Sequence, residues 1–194
     1  MKILNIEKIQ NLKYLKAFDI CYLDKKNQEK HWEMVSRGDL ERLNDEIYKS
    51  KVYADGAMIF ATNKDKTHVV VLKEFRVSAG HAVYMLPAGL SDGDEEVEVT
   101  AAREFREETG LAFHYVSGAP SRYASIGITN ERIHIAYGTY SGEVDLSHQS
   151  DEESAEVLFV DREKAIQLLN HEDVCIRTAL LLEQFFNLNP FFQT

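Results

Sequence analysis

A chain of 194 residues, 44% apolar and 28% charged, is long enough to bury one sizeable core and has the composition of an ordinary soluble protein. Its formal charge of −10, from 22 basic and 32 acidic side chains, argues against a nucleic-acid partner, which needs a positive field, and leaves small phosphorylated molecules open. There is no run of about 18 uncharged apolar residues and no leader pattern, and Cys21 and Cys175 stand far apart, so a cytoplasmic protein with reduced thiols and no membrane partner is expected.

In chain order, residues 12–23 and 31–37 have strand character, with the polar turn DKKNQEK between them. From Gly38 to Ser50 the spacing of Leu40, Leu43 and Ile47 suggests a short helix or an ordered insertion. GAMIFAT and THVVVLKEF are apolar runs of strand length joined by NKDK, and HAVYMLPAG continues as a third run. Residues 95–109 read as a helix, with Asp92 or Asp94 as its cap, acidic residues in its first turn and Gly110 at its end. Strand-like YVSGAPSRYASIG, RIHIAYGTYSG and AEVLFV follow, and REKAIQLLN and VCIRTALLLEQFFNL close the chain as amphipathic helices. The pattern is that of an α/β protein, a mixed sheet between helices in an α/β/α sandwich.

The helix at 95–109 carries the unusual charge. On a wheel centred on Phe105, Ala101, Ala102, Thr109 and Val99 fall toward one small, apolar side, while Glu104, Glu107 and Glu108 gather on the adjoining face. Like charges at i, i+3 and i+4 destabilise a helix by a few tenths of a kcal/mol per pair, roughly. An acidic face of this kind is commonly only solvated, but a hard divalent cation with oxygen ligands would turn the repulsion into a site. The wider spacing favours the second reading. Gly89 is followed at fixed intervals by Glu95, Arg103, Glu104, apolar Phe105, Glu107, Glu108, Gly110 and apolar Leu111.

That series resembles the signature of the Nudix hydrolases, G-x5-E-x7-R-E-U-x-E-E-x-G-U with U apolar, at every defined position. The resemblance implies the Nudix fold and a Mg2+- or Mn2+-dependent attack of water on a diphosphate linked to another group. It makes Glu104, Glu107 and Glu108 metal ligands with the carbonyl of Ala88, and it gives Arg103 and Glu95 a supporting ion pair beside the structural Gly89 and Gly110. The segments WEMVSR, VVVLKEFR, YMLPAGL and SIGITNERIHIAYG are similar to the ADP-ribose pyrophosphatase and GDP-mannose hydrolase branch. By that resemblance Arg76 binds the substrate diphosphate or ribose, with Arg37 as a further candidate, and Glu131 contacts the terminal sugar. Glu152 or Glu153, with Asp151 behind them, would supply the general base from a loop after the motif.

The same branch implies a homodimer built through an N-terminal β-rich subdomain, residues 1–54, ahead of a hydrolase domain at residues 55–194. Ile126 stands where ADP-ribose hydrolases usually carry a proline, which leaves GDP-mannose or another nucleoside diphosphate sugar as open as ADP-ribose. Tyr14, Phe18, Tyr22 and Trp32 are either a stacking surface for the base or core and interface. The seven histidines show no H-x-x-x-H or H-E-x-x-H spacing, and neither a G-x-S-x-G elbow nor a glycine-rich phosphate loop occurs. A sensor domain that binds a nucleotide sugar without cleaving it is the alternative function, against which the intact series of glutamates speaks.

Overall fold

In the computed structural model, which describes residues 1–93, 95–148 and 155–188, the N-terminal stretch KILNIEKIQN forms a strand, β1 (Lys2–Asn11), that no run in the sequence announces. Its period-2 pattern is broken by register shifts between Ile3 and Asn5 and between Lys8 and Gln10. The run at 12–23 therefore divides: residues 12–15 turn, and β2 (Lys16–Leu23) pairs antiparallel with β1 and with β3 (Glu29–Ser36). The segment from Gly38 resolves as a helix, α1 (Leu40–Lys49), whose cap Asp39 accepts a hydrogen bond from the Arg42 backbone N–H. Ile6, Phe18, Ile20 and Leu43 make the core of this first unit, which comprises Met1–Asp55 and Ser121–Ile133. Phe18 is wholly buried and so is no stacking surface, whereas Tyr14 and Trp32 are exposed.

The second unit, Gly56–Pro120 and His134–Thr194, is built on the seven-stranded mixed sheet. Every residue of β4 (Gly56–Thr62) is buried, as are the first four of β5 (Val69–Arg76), so both strands are covered on both faces. The expected third run breaks in two. β6 (His81–Met85) stays on β5, while β7 (Ala88–Leu90) crosses to pair with β4. Pro87 lies at the crossing, where it has no N–H to give and its carbonyl accepts from Ile59 N at 2.8 Å. Then come helix α2 (Val97–Thr109), strands β8 (Ala112–Tyr123), β9 (Arg132–Ser141) and β10 (Ala155–Val160), and helices α3 (Arg162–His171) and α4 (Ile176–Phe185).

Alternation along β4 sets the layers. Ile59 and Ala61 face the cluster that holds Ala101 and Phe105 of α2, with Val70, Leu111, Phe113 and Ala136. Phe60, between them, points the other way and meets Phe185 of α4 edge-on, ring centroids 5.3 Å apart. Helices thus cover both faces of the sheet, an α/β/α sandwich. Among the described residues no helix is long and apolar enough to cross a membrane.

Candidate active site

Helix α2 begins two residues later than its pattern suggests. Its N-cap is Glu96, which makes no side-chain cap bond, so Asp92 is not the cap; Asp94 lies outside the described residues. Thr100 takes the buried place that the wheel gives to Val99, which is half exposed. Gly110 ends the helix at φ 75°, the left-handed region, with its N–H on the Arg106 carbonyl. A Cβ at Gly110 would also sit 2.4 Å from the backbone nitrogen of Asp145, so a glycine is needed there twice over.

The acids between Asp92 and Glu108 have distinct tasks. Glu95 bends back into the loop, where its carboxylate accepts from Asp92 N at 3.2 Å, Thr100 Oγ1 at 3.1 Å and Arg103 Nη2 at 3.0 Å. The Arg103 guanidinium is a fork. Nη2 also donates to the Leu90 carbonyl at 2.9 Å, while Nη1 donates to Glu104 at 2.8 Å and stands 3.5 Å from Glu107. One arginine thereby ties the loop before the helix to two glutamates on it. The Glu95 carboxyl is held down to about 2, first by Arg103 and then by the Asp92 N–H.

A carboxylate lowered in the folded state contributes stability above its unfolded value of 4.5 and loses it as pH falls through about 2. Melting temperature followed by circular dichroism should therefore drop across that window in the native protein. In Glu95→Gln the drop should be shallower and should start from a lower value at neutral pH. Equal acid profiles for the two proteins would remove Glu95 from the loop's stability.

Glu104 and Glu108 lean onto β7. The Glu104 carboxylate fills the space that a side chain at Gly89 would take: a Cβ there would lie 1.9 Å from its carboxyl carbon. Glu108 Oε2 accepts from the backbone N–H of Ala88 at 3.1 Å. Gly89 in turn sits against β4, where Gly56 leaves room for the Gly89 carbonyl; a Cβ on Gly56 would stand 2.1 Å from that oxygen. Gly56 is a positioning residue that the motif does not include, and its only sequence signal is a glycine opening an apolar strand. Glu107 is more exposed, at 53% of its side chain against 16% for Glu104.

Glu104 and Glu108 thus stand against Ala88 and Gly89 of β7, while Glu95, Glu104 and Glu107 gather about the one Arg103 guanidinium. The surplus of negative charge beside β7, from side chains that offer only oxygen, fits a hard divalent cation. Arg76 ends β5 in the same unit, its guanidinium 2.6 Å from Glu74 Oε1. Arg37 and Glu131, expected separately, are joined in the first unit by an ion pair of 2.9 Å. Ile126 is 63% exposed in the turn where Ser125 O accepts from Ile128 N and Thr129 N. Glu152, Glu153 and Asp151 lie outside the described residues.

A sequence model of the NUDIX domain matches residues 52–179. An ADP-ribose pyrophosphatase of Bacillus subtilis (strain 168) is 27% identical over 157 residues, covering 80% of this chain and 85% of that protein. A GDP-mannose pyrophosphatase of Enterobacter sp. (strain 638) is 30% identical over 164 residues, 78% of this chain and 85% of its own. One from Salmonella typhimurium is 33% identical over 157 residues, 74% and 82%. Among solved structures, an ADP compounds hydrolase superposes with a TM-score of 0.72 at 18% identity, covering 94% of this chain and 91% of that one, a likeness of fold.

Proposed function

Because the chain belongs to the NUDIX-domain family, we propose that it is a Nudix hydrolase that splits the diphosphate linkage of a nucleoside diphosphate sugar. The substrate is ADP-ribose or a close analogue, giving AMP and ribose 5-phosphate, or another such sugar, GDP-mannose among them. The relatives' names support that class and divide between the two compounds. Ile126 in place of the proline of ADP-ribose hydrolases keeps both open.

The observation that carries the reading is the seating of the Glu104 carboxylate in the space left by Gly89, beside Glu108 on the Ala88 N–H. Glu104, Glu107, Glu108 and the Ala88 carbonyl are the residues that would hold Mg2+ or Mn2+. When bound, such an ion neutralises the diphosphate, polarises phosphorus and lowers the pKa of coordinated water. Arg103 and Glu95 keep the loop and helix in register, so that the glutamates meet the substrate in place. Arg76 exchanges its contact with Glu74 for a substrate phosphate oxygen, a charge-assisted and potentially bidentate bond. Arg37 and Glu131 act together on the sugar end, and Glu152 or Glu153 takes the proton of the attacking water.

Two copies join through the N-terminal subdomain, residues 1–54. The support is that β1 ends its sheet and carries exposed Leu4 and Ile9. Free Cys21 and Cys175 suit a cytoplasmic setting, and a charge of −10 suits a partner list without nucleic acid.

The test is a panel of ADP-ribose, GDP-mannose and related compounds with Mg2+ or Mn2+, read as phosphate released by an added phosphatase. Sedimentation of the same preparation should give twice the 22.2 kDa of one chain. Cleavage of at least one compound is expected. Binding of several with cleavage of none would replace the enzyme by a sensor, and a single-chain mass would remove the dimer.

A further inference from the structure

Register on the N-terminal sheet brings together side chains that linear spacing keeps apart. Cys21 on β2 lies directly opposite His31 on β3, and Asp19 lies opposite Glu33. These residues, with Glu29 two positions before His31, occupy the sheet face away from Phe18 and Ile20, which belong to the core against α1. One ligand atom each from Cys21, Glu29 and His31 falls within 4.8 Å of the others.

The imidazole is oriented as it would be for a metal. Asp19 Oδ2 stands 2.5 Å from His31 Nδ1, so this nitrogen donates to the carboxylate and the other, Nε2, is turned to Glu29 Oε1 at 3.8 Å. A carboxylate behind a histidine, fixing its tautomer and raising its basicity, is the usual second partner of a metal-bound imidazole. In a tetrahedral zinc site, bond lengths of 2.0–2.3 Å place ligand atoms about 3.4–3.6 Å apart. The His31–Glu29 separation already approaches that value. No separation in the cluster exceeds 4.8 Å, so closing it needs movements of about 1 Å, small for the exposed His31 and Glu29 side chains.

We propose that Cys21, Glu29 and His31 form a second metal site, for a thiolate-binding divalent ion of the zinc class, with Asp19 orienting His31. The donor set distinguishes it from the glutamates of α2. Sulfur and nitrogen select zinc, cobalt or copper, and carboxylates and carbonyls select magnesium or manganese. Burial and the neighbouring Glu29 carboxylate raise the Cys21 thiol, and the Asp19 carboxylate raises His31. Binding takes Cys21 as its thiolate and relieves the crowding of Asp19, Glu29 and Glu33 on one face. Three protein ligands leave one position for water, and the ion clips the β2–β3 hairpin across its polar turn.

Cobalt(II) reports thiolate ligation directly, by a sulfur-to-metal charge-transfer band in the near ultraviolet. The full-length protein, kept reduced with a non-coordinating phosphine and supplied with excess Mg2+, is titrated with Co2+. A band that saturates at one equivalent per chain and is displaced by Zn2+ is expected. It should vanish in Cys21→Ser and persist in Cys175→Ser and Glu108→Gln, all of native circular dichroism. His31→Gln should abolish saturable binding, and Asp19→Asn should weaken it by about 10–100-fold. No band in the native protein, or a band that survives in Cys21→Ser, would overturn the site and leave the cluster a hairpin ion pair. Loss of phosphate release in Glu108→Gln with the band intact would separate the two sites.

Discussion

Glu108→Gln is expected to lower turnover of whichever nucleotide sugar the protein cleaves by roughly 100-fold or more, about 2.7 kcal/mol in barrier, without unfolding it. The substitution keeps the shape of the side chain. An amide oxygen can still accept from Ala88 N, the contact that seats Glu108 on β7 at 3.1 Å. What is lost is one negative charge at a point where several converge, and charge is what holds a hard cation. Kinetics at saturating Mg2+ with thermal melting in parallel would check this. Near-native turnover with a native melt would remove Glu108 from the site. Glu107 is a control on the same face: it is 53% exposed and 3.5 Å from Arg103, so Glu107→Gln should cost less.

The part of this site that could be read from the chain is the part confined to one segment. Glu104, Glu107, Glu108 and Arg103 lie within six residues, and helical periodicity alone gathers them on a face. Gly110 was legible for the same reason, since the residue after a helix needs a left-handed backbone. The start of α2 was not. A stretch with several acids offers several caps, and tertiary demand decided among them: Arg103 and Thr100 recruit Glu95, and the helix begins at Val97 after an N-cap, Glu96, that makes no side-chain bond.

What depends on neighbours in space was hidden. The bulged β1 loses the alternation that marks a strand. The apolar run at 81–89 looks continuous, but pairing splits it between β5 and β4, and that split places Ala88 and Gly89 under α2. Cys21 and His31 are ten positions apart and meet only through the β2–β3 register. A search for metal motifs by spacing passes over a cross-strand pair of this kind.

Two glycines separate the needs of the site from the needs of the fold, and the separation gives the second large effect. Gly89→Ala would place its Cβ 1.9 Å from the Glu104 carboxyl carbon and 2.1 Å and 2.3 Å from its oxygens. Those atoms end a flexible side chain, which can swing aside by changing rotamer. The chain should therefore fold with a melting temperature close to native, while Glu104 no longer reaches β7. Turnover should fall by roughly 100-fold or more, as for Glu108→Gln, since either change removes one carboxylate from the same cluster. In Gly56→Ala the new Cβ would meet not a side chain but the Gly89 carbonyl, at 2.1 Å, with Leu90 Cα at 3.0 Å. Backbone cannot step aside, so β4 and β7 must part or shift, and stability should fall along with activity. Melting curves and turnover for the two variants decide the matter. If Gly89→Ala melts as early as Gly56→Ala, the glycine serves strand packing and not the seat of Glu104. If it melts as the native protein does and turns over normally, the placement of Glu104 against Gly89 has no part in catalysis.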